Sequence, residues 1–133
     1  AAAAELDRLE QTGCMRANTV IVHGLAVDPE RWHRLFARGI ALVWCPVSNV
    51  RLFGRTLAMP TLLEDGAARR RVCLGTDSRL TGSRDLLEEA RAARDAGVAA
   101  PDVLEMVTAT AADVLRLDEA GRIRPGGAAD FVV

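Results

Sequence analysis

RRVCLGTDSRLTGSR, residues 70–84, is the stretch around which the rest of the chain is organised. Val72-Cys73-Leu74 is a short apolar run of the kind that makes a strand buried on both faces, and it stops at Gly75-Thr76-Asp77-Ser78, where the chain turns polar. An acid therefore stands at the carboxyl end of a buried strand. In parallel α/β sheets and barrels that rim is where chemistry is placed, because the strand fixes the carboxylate while the following loop leaves it open to substrate. Asp77 is equally suited to cap a helix starting near Ser83, since Asp and Ser both favour turns and N-caps. Position alone leaves both roles open, and the upstream segments decide between them.

Two more apolar runs end the same way. NTVIVHG, residues 18–24, is rich in β-branched residues and closes on His23-Gly24, which predicts a buried strand over residues 19–23. IALVWC, residues 40–45, is the next, broken by Pro46 and continued as Val47-Ser48-Asn49-Val50 into a polar turn. Between them Asp28-Pro29-Glu30 supplies an N-cap followed by proline at the first helical position, with Trp32, Leu35 and Phe36 on one face and Gly39 as the stop. A short helix is expected over residues 56–65, with Gly66 ending it, before the strand over residues 72–76. Residues 1–11 read as the tail of a helix ended by Thr12-Gly13.

The alternation of helix and strand is that of βαβ units, which implies parallel strands with right-handed crossovers and their carboxyl ends on one edge. Beyond residue 82, residues 83–96 predict an amphipathic helix with Leu86, Leu87, Ala90 and Ala93 inward, and residues 101–117 a second helix with Val103, Leu104, Val107 and Val114 inward. Residues 118–133 change character: Gly121, Pro125, Gly126 and Gly127 make turns, and Asp130-Phe131-Val132-Val133 begins a strand. A helix without its start and a strand without its continuation read as an excerpt of a longer protein.

Composition prunes the functional classes. The chain has 133 residues, half of them apolar, with 17 basic and 18 acidic residues and a formal net charge of −1, so bulk charge draws it to neither nucleic acid nor an anionic membrane. Every basic residue is arginine, which excludes a P-loop lysine, a Schiff-base lysine and a carbamylated lysine bridging two metals. Cys14, Cys45 and Cys73 form no C-x-x-C pair, and a reducing cytoplasm fits them. No apolar run approaches membrane-spanning length. His33 reads as a surface residue, Arg69-Arg70-Arg71 as a solvated strand entry on the opposite rim, and Arg79 and Arg84 as candidates for gripping a substrate carboxylate. Ser48 and Asn49 suit a plain turn as well as a pocket wall.

The series VIVHG (20–24), WCPVSN (44–49), LGTDS (74–78) and GRIRPG (121–126) with ADFVV (129–133) resembles the C-terminal part of the metal-dependent amidohydrolase superfamily, on the side of its cytosine deaminase and chlorohydrolase-like branch. The resemblance covers nearly the whole chain. It implies an α/β fold of which residues 1–117 form the C-terminal portion, the last three βα units, of a TIM-type (β/α)8 barrel, and residues 118–133 the start of a return strand into a small β-sandwich. It implies that His23 contacts the hydrolytic water or the polarised group of the substrate. Asp77 would ligate the metal and move the proton from water to leaving group. Ser48 and Asn49, with Ser78 and Arg79, would border the substrate. The implied cofactor is one divalent ion, zinc first and iron second, with most ligands outside this chain.

The sequence also departs from that pattern. The His-x-His pair and the fifth-strand histidine are absent, and Trp44 stands where relatives often carry histidine. Asp77 and at best His23 fall short of the three or so protein ligands of a catalytic ion, so the chain alone is expected to be inactive. The expected partners are a small, often cyclic substrate and either further copies of the chain or the missing N-terminal part of the same protein. The expected reaction is deamination or a related C–N or C–Cl hydrolysis; the alternative is a non-catalytic scaffold or truncated product.

Overall fold

The computed structural model describes residues 2–131. Helix α1 (Ala2–Gln11) leads into strand β1 (Val20–Val22), helix α2 (Pro29–Ala37), strand β2 (Ala41–Trp44) and helix α3 (Pro46–Phe53). Short helices α4 (Met59–Leu62) and α5 (Gly66–Arg69) precede strand β3 (Val72–Leu74), and α6 (Leu86–Asp95), α7 (Ala100–Val107) and α8 (Ala109–Leu115) complete the order. The three strands lie in the order β1-β2-β3 and both pairings are parallel. In register, Val22 stands beside Val43 and Val43 beside Cys73, so Val22, Val43 and Cys73 share one face and Ile21, Leu42, Val72, Trp44 and Leu74 the other. The ladder continues past the strand ends, since His23 N donates to Val43 O at 3.1 Å and Gly75 N to Trp44 O at 2.9 Å.

The core forms on the helix-covered face. Helix α2 begins where expected: the Asp28 side chain accepts from Arg31 N and Pro29 occupies the first position. This phase turns Trp32, Leu35 and Phe36 inward, each at most 2% exposed, against Leu42 and Trp44, which are fully buried. Each such side chain is worth about 1.5–3 kcal/mol in apolar burial. Gly24, at φ +67°, lets the chain leave β1 beside Trp32, because a Cβ there would meet the indole Cζ2 at 2.2 Å.

Several expectations are corrected. Ser48 and Asn49 lie on α3 and not in a loop: Pro46 opens a helix at its first position after ending the strand. Gly66 starts α5, with Asp65 as its N-cap accepting from Ala67 N, so the expected helix over residues 56–65 shrinks to α4. Helix α6 begins at Leu86 behind the N-cap Asp85, whose side chain accepts from Glu88 N. That phase leaves Leu87 65% exposed and Leu86 37%, while Glu89 is fully buried. The expected helix over residues 101–117 is split at Thr108, which leaves helical geometry at φ −127° and ψ −95° and whose hydroxyl donates to Leu104 O at 2.6 Å. Leu104, expected inward, is 62% exposed. Asp130 and Phe131 are in no strand, and Val132 and Val133 lie outside the described residues.

Strand β1 is not buried on both faces. Val20 and Val22 are 40% and 50% exposed on the face they share with Val43, and among the described residues β1 and β3 each pair on one side only. Bare edges and a bare apolar face attract other chains. Produced by itself, the chain is expected to self-associate, read by light scattering; a monodisperse monomer with a cooperative melt would refute this.

Candidate active site

The polar groups at the carboxyl ends of the strands converge. His23 follows β1 and Asp77 lies three residues beyond β3, and both adopt left-handed backbone, at φ +66° and +56°. Non-glycine residues take this region uncommonly, and such strain gathers at functional sites. His23 Nε2 stands 3.8 Å from Asp77 Oδ2, and the two side chains are 28% and 26% exposed. Between them the first turn of α3 inserts Ser48 and Asn49, both fully buried. Ser48 Oγ donates to Asp77 Oδ2, and Asn49 Oδ1 lies 2.9 Å from His23 Nδ1. The Phe53 ring meets the imidazole edge-on at 6.1 Å between centroids.

Asp77 is not the cap of the following helix, a place taken by Asp85. Its carboxylate is instead held by donors: Ser48 first, then the Ser78 backbone N–H and the Thr81 hydroxyl, which lies 3.0 Å from Oδ2. These bonds hold its pKa below the ordinary aspartate value, so the group is an anion throughout the physiological range. Ser78 contributes through its backbone, while its hydroxyl lies 2.8 Å from that of Thr81. The loop closes tightly, with Gly82 N donating to Ser78 O at 2.7 Å and no room for a Cβ at Gly82 against Thr76 O. Arg51 of α3 clamps it by donating to Leu80 O and Gly82 O at 3.4 and 3.3 Å.

The other residues singled out lie outside this hydrogen-bonded group, and His33 is on the surface as expected. Arg79 is exposed and, among the described residues, makes no side-chain hydrogen bond. Arg84 is committed to the start of α6, its Nε 3.3 Å from the Asp85 carboxylate. His33 is exposed and bonds Asp65 at 2.8 Å. Arg69, the last residue of α5, pairs with Asp102. Trp44 does not face a pocket: it is fully buried, and its indole N–H donates to Thr56 Oγ1 at 2.7 Å.

Thr81, Thr56, Arg51 and Glu89 escaped the sequence reading. Thr81 sits in a Thr-Gly-Ser run that reads as a generic loop, Thr56 meets Asn49 and Trp44 seven and 12 residues back, and the partners of Arg51 and Glu89 lie 29 or more residues away. Glu89 meets α3 from behind, its Oε2 accepting from Val47 N at 3.2 Å while Oε1 has no partner. Its oxygen thereby satisfies an orphan N–H in the first helical turn. Burial first, and then the Glu89 and Asp77 carboxylates, push the Cys45 thiol up to about 11, so it stays protonated and is a poor metal ligand. Burial alone does the same for Cys73.

For a metal the donor set is one carboxylate and one imidazole. Among the described residues no group of three or more His, Cys, Asp or Glu side chains gathers around one point. A catalytic ion takes about three protein ligands. These residues do not by themselves form a metal site.

Parallel strands with an acid, an imidazole and an amide gathered at their carboxyl ends define an α/β protein with an enzyme-type site. The family model described as Amidohydrolase family matches residues 2–133, and the chain belongs to that family. Its relatives include the 5-methylthioadenosine/S-adenosylhomocysteine deaminase of Natronomonas pharaonis, 30% identical over 96% of this chain and 31% of the relative. The 5'-deoxyadenosine deaminase of Methanospirillum hungatei is 32% identical over 94% of this chain and 29% of the relative. Among solved structures, E. coli guanine deaminase superposes with a TM-score of 0.77 at 25% identity, over 96% of this chain and 31% of the other. A triazine hydrolase from Arthobacter aurescens shares the fold, with a TM-score of 0.75 at 20% identity over 92% and 29%. The chain thus spans about a third of the length of the relatives it matches.

Ser48→Ala is expected to raise the Asp77 pKa toward the ordinary value, read by carboxyl-carbon NMR titration. A depressed folded-state pKa contributes stability that is complete above the unfolded-state value, about 3.9, and is lost as pH falls through the folded one. The stability gap between Ser48→Ala and the unaltered protein should therefore be present at neutral pH and narrow below about pH 4. An unshifted Asp77 titration would show that the Ser48 bond does not form.

Proposed function

We propose that residues 1–117 are the last three βα units of a (β/α)8 barrel and residues 118–133 the start of its return segment, in a hydrolase that releases ammonia from a small heteroaromatic ring. The observation that carries this is the convergence of His23, Ser48, Asn49 and Asp77 at the carboxyl ends of parallel strands. The relatives' names point to the substrate class, since adenosine derivatives and guanine all bear an amino group on a purine ring. In net reaction, water adds at the ring carbon, ammonia leaves, and a carbonyl replaces the C–N bond.

This chain's own residues have distinct tasks in that reaction. Asp77 accepts the proton of the attacking water and returns it to the departing nitrogen. Ser48 and Thr81, by occupying Oδ2, aim the other oxygen, Oδ1. His23, beside Asp77, contacts the ring or the water. Asn49 sets the imidazole, and Ser78 and Arg79 border the entrance. A divalent ion, zinc or iron, belongs to the proposal as the supplier of an acidified water, with its remaining ligands outside these residues. The remainder of the same protein, or further copies, would cover the bare sheet face carrying Val20 and Val22. We place the protein in a reducing cytoplasm, which accords with Cys45 and Cys73 as buried free thiols. No described helix is long and apolar enough to cross a membrane.

In the complete protein, Asp77→Asn keeps the shape but removes the charge and the base. Turnover, measured as ammonia release, should fall by about 100-fold to 10,000-fold or more. Asp118→Asn, an exposed loop acid outside these hydrogen bonds, serves as the control and should change little. Near-normal kcat in Asp77→Asn, with metal content unchanged by elemental analysis, would refute the role of Asp77.

A further inference from the structure

The two nitrogens of His23 face different partners. Nδ1 lies 2.9 Å from Asn49 Oδ1, whereas Nε2 is 3.8 Å from Asp77 Oδ2, beyond hydrogen-bond reach. Which nitrogen carries the proton decides whether Nε2 offers a lone pair or an N–H to whatever enters the cleft.

The groups behind Asn49 bear on that choice. Trp44 is fully buried, and its indole N–H can only donate, here to Thr56 Oγ1 at 2.7 Å. The same oxygen accepts from Asn49 Nδ2 at 3.3 Å. With its nitrogen turned to Thr56, the Asn49 amide turns its oxygen to His23, and an oxygen accepts only from an N–H. On the far side, Asp77 Oδ2 already accepts from the hydroxyls of Ser48 and Thr81. The lone pairs of Oδ2, the carboxylate oxygen 3.8 Å from Nε2, are therefore occupied.

We propose that Trp44, Thr56 and Asn49 are positioning residues that hold neutral His23 as the Nδ1–H tautomer, leaving Nε2 as a bare lone pair at the rim beside Asp77. Asn49 is the contact, Thr56 orients Asn49, and Trp44 orients Thr56. The catalytic use of the lone pair rests on the hydrolase reading, but the tautomer does not. In that reading Nε2 accepts a hydrogen bond from an N–H or O–H of the bound ring or the attacking water. An Nε2–H would reverse this polarity and select a ring presenting an acceptor there.

The test is a two-bond proton–nitrogen NMR correlation on the complete protein labelled with 15N-histidine, recorded with rising pH until the His23 pattern no longer changes. The His23 signals are identified by their loss in His23→Gln. The expected result is a pyrrole-type shift for Nδ1 and a pyridine-type shift for Nε2. Thr56→Val should lose this pattern and Thr56→Ser should restore it. In turnover, Thr56→Val should lower kcat by about 10-fold to 100-fold, with Thr56→Ser recovering most of it. A pyrrole-type Nε2 in the unaltered protein overturns the proposal, and so does an unchanged pattern in Thr56→Val. Should Thr56→Val fail to fold, the spectrum of the unaltered protein still decides. If the spectra are as expected and no purine or other cyclic amine is hydrolysed, the relay stands and the hydrolase reading falls.

Discussion

Strands β1 and β3 never touch. With β2 between them, two inter-strand spacings put their axes about 10 Å apart, yet the side chains that follow them stand 3.8 Å apart at His23 Nε2 and Asp77 Oδ2. The left-handed backbone at both residues accompanies this approach, and α3 starts at the end of the central strand and makes one hydrogen bond with each side. Consecutive residues do this, Ser48 toward Asp77 and Asn49 toward His23. Left-handed non-glycine residues cost about 1–3 kcal/mol each and persist only where their surroundings over-determine them. Here the ladder bonds His23 N to Val43 O and Gly75 N to Trp44 O hold the backbone on one side and the α3 side chains hold the tips on the other.

That α3 begins where it does follows from the chemistry of its first turn. Pro46 lacks the N–H that a first helical residue would leave orphaned, and Val47 finds Glu89 as acceptor for its own. A carboxylate buried without any partner is costly, and Glu89 is tolerable because one oxygen meets a helix N-terminus. Helix α6 is thereby tied to the back of the element that carries Ser48 and Asn49. The candidate site is shaped from three sequence-distant segments, none of which would hold its geometry alone.

This explains what could be read from the sequence and what could not. The parallel strands and helix α2 were legible because local signals agree there: β-branched runs, an Asp-Pro start and a helical spacing of Trp32, Leu35 and Phe36. His23 and Asp77 were legible as strand-end polar residues. Pro46 was ambiguous because proline both ends strands and starts helices, and the neighbouring Ser-Asn pair is at home in either. The face of α6 was misread because apolar counting assigns Leu87 inward, while the helix phase is set by the Asp85 cap and a buried glutamate. Thr56 and Thr81 carry no local signal at all, since hydroxyls acquire a role only when folding brings Trp44, Asn49 or Asp77 to them.

The electrostatics of the rim divide its labour. Three donors lower the proton affinity of Asp77, so it is first of all a fixed negative charge and only a weak base. A weak base takes a proton effectively only from an acid of matching strength, and ordinary water is far too weak. In the proposed hydrolysis, the donors that stabilise the Asp77 anion therefore call for a second agent that acidifies the water. Among the described residues no cluster of ligands for such an agent exists. The hydrogen bonds from Ser48 and Thr81 thus fix a negative charge at the rim beside His23, and the proposed hydrolysis assigns the remaining ligands of an ion to groups outside these residues.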